Sequence, residues 1–337
     1  MLHSAGHFAI SACTAMVVCC NRGIDGHRRP RGLPLLRLPR VPALAAVGHM
    51  PVGQIVDLPG RGSTYVIDSG PQDGPSYVLL HSLACTGLMT WYPALDVVRR
   101  FGRVVVFDQR WHGQGISSPR FLLEDCADDV VALADALGIE TFVPVGYSMG
   151  SLVAQLIWKR HRELVDGLVL CAATTAVTRA SYERLATGIF AALVDAFSPP
   201  PRWAANQQAS SVAECIFGVP QWLLNQFRST SPGAITRAVA EITRFDSTRW
   251  VGDIDVPTSV LVTLRDHAIP ARRQHWLASR IPEAHTVTVD AGHAGCTLAP
   301  DKFVPGLHEA ISAVHRRIPT YDADHFLERT SARSHGQ

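Results

Sequence analysis

A serine stands between two glycines in Gly146-Tyr147-Ser148-Met149-Gly150, directly after the apolar run 141–146 and directly before the helical pattern 151–161. A serine on so sharp a strand-to-helix turn adopts a strained backbone that lifts its Oγ above the sheet edge. The residues two positions away must be small, because the strand and helix backbones crowd together there. The helix that follows aims the positive end of its dipole at the place where negative charge would develop. A serine hydroxyl is a poor nucleophile at its ordinary pKa, so it needs a base, and the base needs a carboxylate to orient it. Asp266, in Leu264-Arg-Asp-His-Ala-Ile-Pro, and His293, in Asp290-Ala-Gly-His-Ala-Gly, follow the serine in that order, each just past a β-branched run. Such a set performs two-step acyl transfer through a covalent serine intermediate.

Other side chains compete for these roles. His81 and His112 precede the serine and read as structural or pocket-lining, and His267 as a loop residue beside Asp266. Asp290 is close to His293 in sequence, but a strand-end carboxylate so near would struggle to face the ring. The segment 172–178 offers no acid, which leaves Asp266 as the expected orienting group. An oxyanion needs backbone donors. Met149, the residue after the nucleophile, supplies one, and Leu83, in the loop His81-Ser82-Leu83-Ala84-Cys85, is expected to supply the other. Cys85 has no His–acid pair of its own and reads as pocket wall rather than as a second nucleophile. Tyr147, Trp111 and Trp91, each in or beside a motif loop, are further pocket candidates.

These groups converge only if one sheet edge carries them all. From about residue 53 the chain alternates β-branched runs with helical patterns, which predicts an α/β fold with a mostly parallel, eight-stranded sheet flanked by helices. Strands are expected over 54–58, 64–68, 77–81, 103–108, 141–146, 167–171, 259–264 and 285–290, the first two as a hairpin around Pro-Gly-Arg-Gly. Helices are expected over 123–137, 151–161, 271–280 and 302–316. Runs such as VVVF and LVLC suit strands buried on both faces. Between Cys171 and Ser259 the alternation stops. A stretch of helical character that long is expected to be an inserted cap, at about 175–255, over the sheet edge. Its apolar residues Ile189, Phe190, Leu193, Phe197, Trp203, Phe217, Trp222 and Phe227 either line a hydrophobic pocket or form the cap's own core.

The 337-residue chain is 47% hydrophobic and 18% charged, which excludes a disordered chain. Its net charge of +2 is uneven: residues 1–50 hold six arginines against Asp25 alone, so the remainder is mildly acidic and does not suggest a nucleic-acid partner. Lys159 and Lys302 are the only lysines among 31 basic side chains, a bias typical of GC-rich bacterial coding. Residues 1–51 read as a basic, disordered extension, 52–317 as the domain, and 318–337 as a polar tail. The apolar run 8–20 is shorter than the roughly 20 residues that span a bilayer, and its arginines follow it rather than precede it. A membrane tether through residues 1–50 is the alternative reading. Eight scattered cysteines without a metal-like CxxC pair suit a reduced, cytoplasmic protein, and no metal or organic cofactor is expected.

The segments LLHSLACTG, FDQRWHGQGISS, VGYSMGS, LVTLRDHAIP and AGHAG, in that order, resemble the α/β-hydrolase fold superfamily. The similarity runs from about Val52 to Arg317 and lies with the cap-bearing serine esterase and lactonase-like branch, nearest its actinobacterial type. It implies a hydrolase of carboxylic esters or lactones acting on a small-molecule substrate. An acyltransferase or cofactor-free perhydrolase would use the same triad, and a ligand-binding protein would need only the fold. The resemblance also implies that Asp108, Arg110, His112, Gly113 and Gly115 form a structural turn beside the oxyanion loop. Ser82 occupies a position that is commonly glycine.

Overall fold

The computed structural model describes residues 51–177, 215–216 and 219–318. The basic extension, the polar tail and the cap residues Ile189, Phe190, Leu193, Phe197, Trp203 and Phe217 lie outside the described residues.

Alternation within β4 (Arg103–Phe107) shows how the layers arise. Val105 and Phe107 enter one buried cluster and Val104 and Val106 the other, as the period of two along a strand requires. Tyr77 and Leu79 against Val78 and Leu80 do the same in β3 (Ser76–Leu80). Both sheet faces are therefore covered. With β1 (Gln54–Leu58), β2 (Gly62–Asp68), β5 (Phe142–Tyr147), β6 (Leu168–Cys171), β9 (Thr258–Thr263) and β10 (His285–Val289), these strands form an eight-stranded sheet of order β1-β2-β4-β3-β5-β6-β9-β10. β2 runs antiparallel to β1 and to β4, and every later pairing is parallel. The predicted hairpin and eight strands are thus present, with ends moved by one or two residues.

Three helices cover one face: α3 (Leu123–Ala136), α4 (Met149–Arg160) and α7 (Ala271–Arg280). The other is covered by α2 (Leu95–Val98) and α9 (Pro300–His315). Two single-turn helices, α1 (Gly87–Trp91) and α8 (Gly295–Leu298), are too short for periodicity to reveal.

The described part of the insertion holds the short strand pair β7 (Cys215–Ile216) and β8 (Val219–Pro220), then α5 (Gln221–Arg228) and α6 (Pro232–Arg244). Ser231 caps α6 by accepting from the Ala234 N–H at 3.2 Å, and Pro232 occupies the first turn, where its missing N–H costs nothing. Trp222 and Leu223 of α5 bury themselves against Met89 of α1. Across this seam the Thr86 hydroxyl donates to Gln226 Oε1 at 2.6 Å, and the Gly113 N–H donates to Thr230 Oγ1 at 3.3 Å. Among the described residues no helix is long and apolar enough to cross a membrane.

Candidate active site

Ser148 sits where β5 ends and α4 begins, at φ 52° and ψ −113°. A left-handed φ is costly for a residue with a Cβ and persists only where the surroundings enforce it. Here they do: a Cβ on Gly146 would collide with the Gly150 carbonyl, and one on Gly150 with the Leu80 carbonyl of β3. The Ser148 N–H donates to Cys171 O at 3.0 Å, which ties the turn to β6.

His293 Nε2 lies 2.8 Å from Ser148 Oγ, and His293 Nδ1 lies 2.7 Å from Asp266 Oδ2. The Asp266 side chain is fully buried, and that of His293 remains 18% exposed, so the ring alone meets the cavity. Asp266 Oδ1 accepts from the Ala268 and Ile269 N–H groups at 2.8 Å each, and Oδ2 accepts from the Thr263 hydroxyl at 2.8 Å. With both carboxylate oxygens used as acceptors, His293 Nδ1 is the donor. That leaves Nε2 free to accept from the Ser148 hydroxyl. The loop carrying His293 is held by the Tyr147 hydroxyl, which donates to His293 O at 2.9 Å.

Gln274 of α7 is a supporting residue that sequence reasoning misses. Wholly buried, it donates through Nε2 to Thr263 Oγ1 at 2.9 Å and Ile269 O at 2.7 Å, and its Oε1 accepts from the Thr263 N–H at 3.0 Å. It thereby fixes both ends of the turn that carries Asp266. A glutamine on a helix carries no signal of this in the sequence, because its partners are set by how α7 lies against β9.

Asp290, the competing acid, faces elsewhere: its carboxylate pairs with the Arg265 guanidinium and with Lys302 Nζ at 3.5 Å. His81 and His112 are buried in edge-to-face contact with centroids 5.1 Å apart. His81 Nδ1 meets Ser82 O at 2.8 Å, and its Nε2 accepts from the Gln109 N–H at 2.8 Å, so the neutral Nδ1–H tautomer is required. Burial, reinforced by its neighbour His112, drives the His81 pKa well below the usual imidazole range. Asp108 braces the same loop, accepting from the Gly87 N–H at 2.9 Å and the Gln114 N–H at 2.8 Å, and burial raises its pKa to about 6.

A cavity of about 270 Å³ opens over Ser148 and His293. Leu83, Cys85, Tyr147 and Met149 line it, as do Phe227 of α5 and Ile235, Val239 and Ile242 of α6. Among the described residues, the Leu83 and Met149 backbone N–H groups meet no acceptor. Cys296 also lines the cavity; burial lifts its thiol to about 11, far from a thiolate at neutral pH. Trp91 and Trp111 do not line it. Trp91 is fully buried behind the elbow against Tyr147 and Phe303, because α1 turns its indole into the core. Trp111 points away, donating from Nε1 to Ser118 O at 2.9 Å beneath the Arg237 guanidinium. Trp222 is core between α5 and α1 rather than wall.

A sequence profile of the alpha/beta hydrolase family matches residues 77–305. The chain belongs to the alpha/beta hydrolase family. Among curated relatives, a protein of Agrobacterium fabrum provisionally named a carbamate hydrolase is 26% identical over 226 residues, covering 63% of this chain and 84% of that one. The 3-oxoadipate enol-lactonase 1 of Acinetobacter baylyi is 24% identical over 253 residues, covering 72% and 91%. Among solved structures, the enol-lactonase of Burkholderia xenovorans superposes with a TM-score of 0.61 at 23% identity, covering 77% of this chain and all of that one. At that identity the superposition speaks to the alpha/beta hydrolase fold alone.

Proposed function

We propose that this alpha/beta hydrolase is a serine hydrolase that cleaves a carboxylic ester or lactone of a small to medium, largely apolar substrate. The observation that carries the reading is the hydrogen-bonded chain Ser148 Oγ, His293, Asp266 opening into an apolar cavity. His293 Nε2 takes the Ser148 proton as Oγ attacks the carbonyl carbon. The Leu83 and Met149 amides hold the oxyanion of the tetrahedral adduct. The protonated imidazole then delivers its proton to the leaving oxygen, which departs as an alcohol, or stays attached when the substrate is a lactone. Water, deprotonated by the same nitrogen, attacks the acyl-enzyme and releases the acid. Asp266 holds the tautomer throughout.

A substrate seated in this cavity meets aliphatic and aromatic walls, and Arg265 at its edge is paired with Asp290. Both features favour an uncharged acyl group. The carbamate hydrolase name among the relatives adds carbamates to the panel, since the same attack opens their carbonyl. Ser148→Ala is expected to abolish labelling by a fluorophosphonate probe and hydrolysis of short p-nitrophenyl esters, with losses on the order of 10³-fold or more. Undiminished labelling in the folded variant would overturn the assignment.

A further inference from the structure

We propose that Gln155 is a positioning residue that couples the seat of the insertion to the setting of the Ser148 elbow, an inference resting on the reading of Ser148 as nucleophile. Gln155 lies on α4, two turns beyond Ser148, and is wholly buried. Its Nε2 donates to Ser151 O at 3.1 Å and to Thr174 O at 3.2 Å, and its Oε1 accepts from the Ser247 hydroxyl at 2.7 Å. Ser151 in turn donates through Oγ to the Ser148 carbonyl at 2.6 Å. One glutamine thus touches the nucleophile helix, the chain leaving β6 for the insertion, and the chain returning from it.

The two roots are also joined to each other. Ala176 and Asp246 form an antiparallel bridge, and the Ser247 N–H donates to Thr175 O at 2.8 Å. Ser151, Gln155 and Ser247 are all wholly buried, and Thr174 and Thr175 nearly so. In such surroundings each bond lost leaves an unsatisfied polar group, so the arrangement has one favoured geometry. Ser247 follows closely on α6, whose Ile235, Val239 and Ile242 form the cavity wall facing Ser148. Fixing Ser247 to Gln155 therefore fixes how far that wall stands from the nucleophile. The consequence is specificity by acyl length: a long acyl chain needs the wall in place, whereas an acetyl group does not.

The test compares the full-length chain with Ser247→Ala and Gln155→Leu, using p-nitrophenyl acetate, p-nitrophenyl octanoate and a fluorophosphonate probe. Ser247→Ala removes the hydroxyl bond to Gln155 and leaves the backbone contacts between the two roots in place. Its octanoate-to-acetate ratio of kcat/KM is expected to change about tenfold through KM, with Ser148 labelling within about twofold of the parent. Gln155→Leu also removes the bonds to Ser151 O and Thr174 O, so both the ratio and the labelling rate should change. If both folded variants lose activity evenly across the two esters, Gln155 and Ser247 only support the fold and the proposal fails. Should Gln155→Leu not fold, Ser247→Ala decides alone. Failure of the hydrolase reading shows separately, as a parent chain that neither labels nor cleaves any ester. In that event hydrogen exchange at the α6 amides reads the coupling: faster in Ser247→Ala if it holds, unchanged if it does not.

Discussion

At the scale of single residues, proton positions follow from donor and acceptor counts. Asp266 uses both oxygens as acceptors, which assigns the His293 protons without reference to any family. The same bookkeeping makes His81 neutral, and its neighbour His112 yields a measurable pH dependence. His112 Nδ1 meets Arg110 O at 2.9 Å, while its buried Nε2 has no partner among the described residues. Burial lowers its pKa to about 4, against the partial opposition of the Arg110 carbonyl. The unfolded chain, with an ordinary imidazole, therefore binds a proton more readily than the folded one between roughly pH 6.5 and 4. Stability is lost as pH falls through that window, by on the order of 3 kcal/mol for this group. Asp108, raised to about 6, titrates in the opposite sense over an overlapping range and flattens the parent's curve. His112→Gln should accordingly show a smaller drop in unfolding midpoint between pH 7 and pH 4.5 than the parent. An identical slope for the two proteins would contradict this account.

At the scale of elements, the loop after β4 and helix α3 are held together by charge. Arg110 donates to both oxygens of Asp129, through Nε at 2.8 Å and Nη2 at 2.7 Å, and Arg61 from the β1–β2 turn donates to Asp129 Oδ1 at 2.6 Å. Asp129 is 1% exposed and Arg110 6%, so neither charge has water as an alternative partner. Replacing such a pair by apolar groups can be neutral, whereas removing one member strands the other. Asp129→Ala is therefore expected to cost about 3–5 kcal/mol in chemical denaturation, because buried Arg110 keeps only the longer contact to Asp125 at 4.0 Å. A cost within that of an exposed ion pair would show that solvent reaches the cluster. Because Asp108 and His112 flank Arg110, the damage should also lower activity by loosening the loop next to the proposed oxyanion donors.

At the scale of the whole molecule, one sheet organises every group that the proposed chemistry uses. Ser148, Asp266 and His293 follow the C-terminal ends of β5, β9 and β10, and parallel pairing brings those ends to one edge. The alpha/beta hydrolase match covers 77–305, and the first strand of the sheet begins at Gln54. A chain lacking residues 1–49 is therefore expected to keep its fold and its ester hydrolysis, both within about twofold of the full chain. Lost activity in a folded, truncated product would assign residues 1–49 a part in the function.

Much of this was legible in the residues themselves. Strand positions follow from β-branched runs, because a strand buried on both faces must be apolar throughout, and VVVF and LVLC are. The glycines at 146 and 150 announce the elbow, since backbone contact there leaves no room for a Cβ. What the sequence could not decide was direction and distance. Trp91 and Trp111 sit beside motif loops yet turn away from the cavity, because the orientation of α1 and the hydrogen bond to Ser118 set their indoles. Asp290 precedes His293 closely but answers to Arg265, and Gln155, Gln274 and Ser247 gain their partners only when separate segments are brought together. Local sequence determined which backbone conformations were favourable, and only tertiary packing determined which buried polar atoms would find each other.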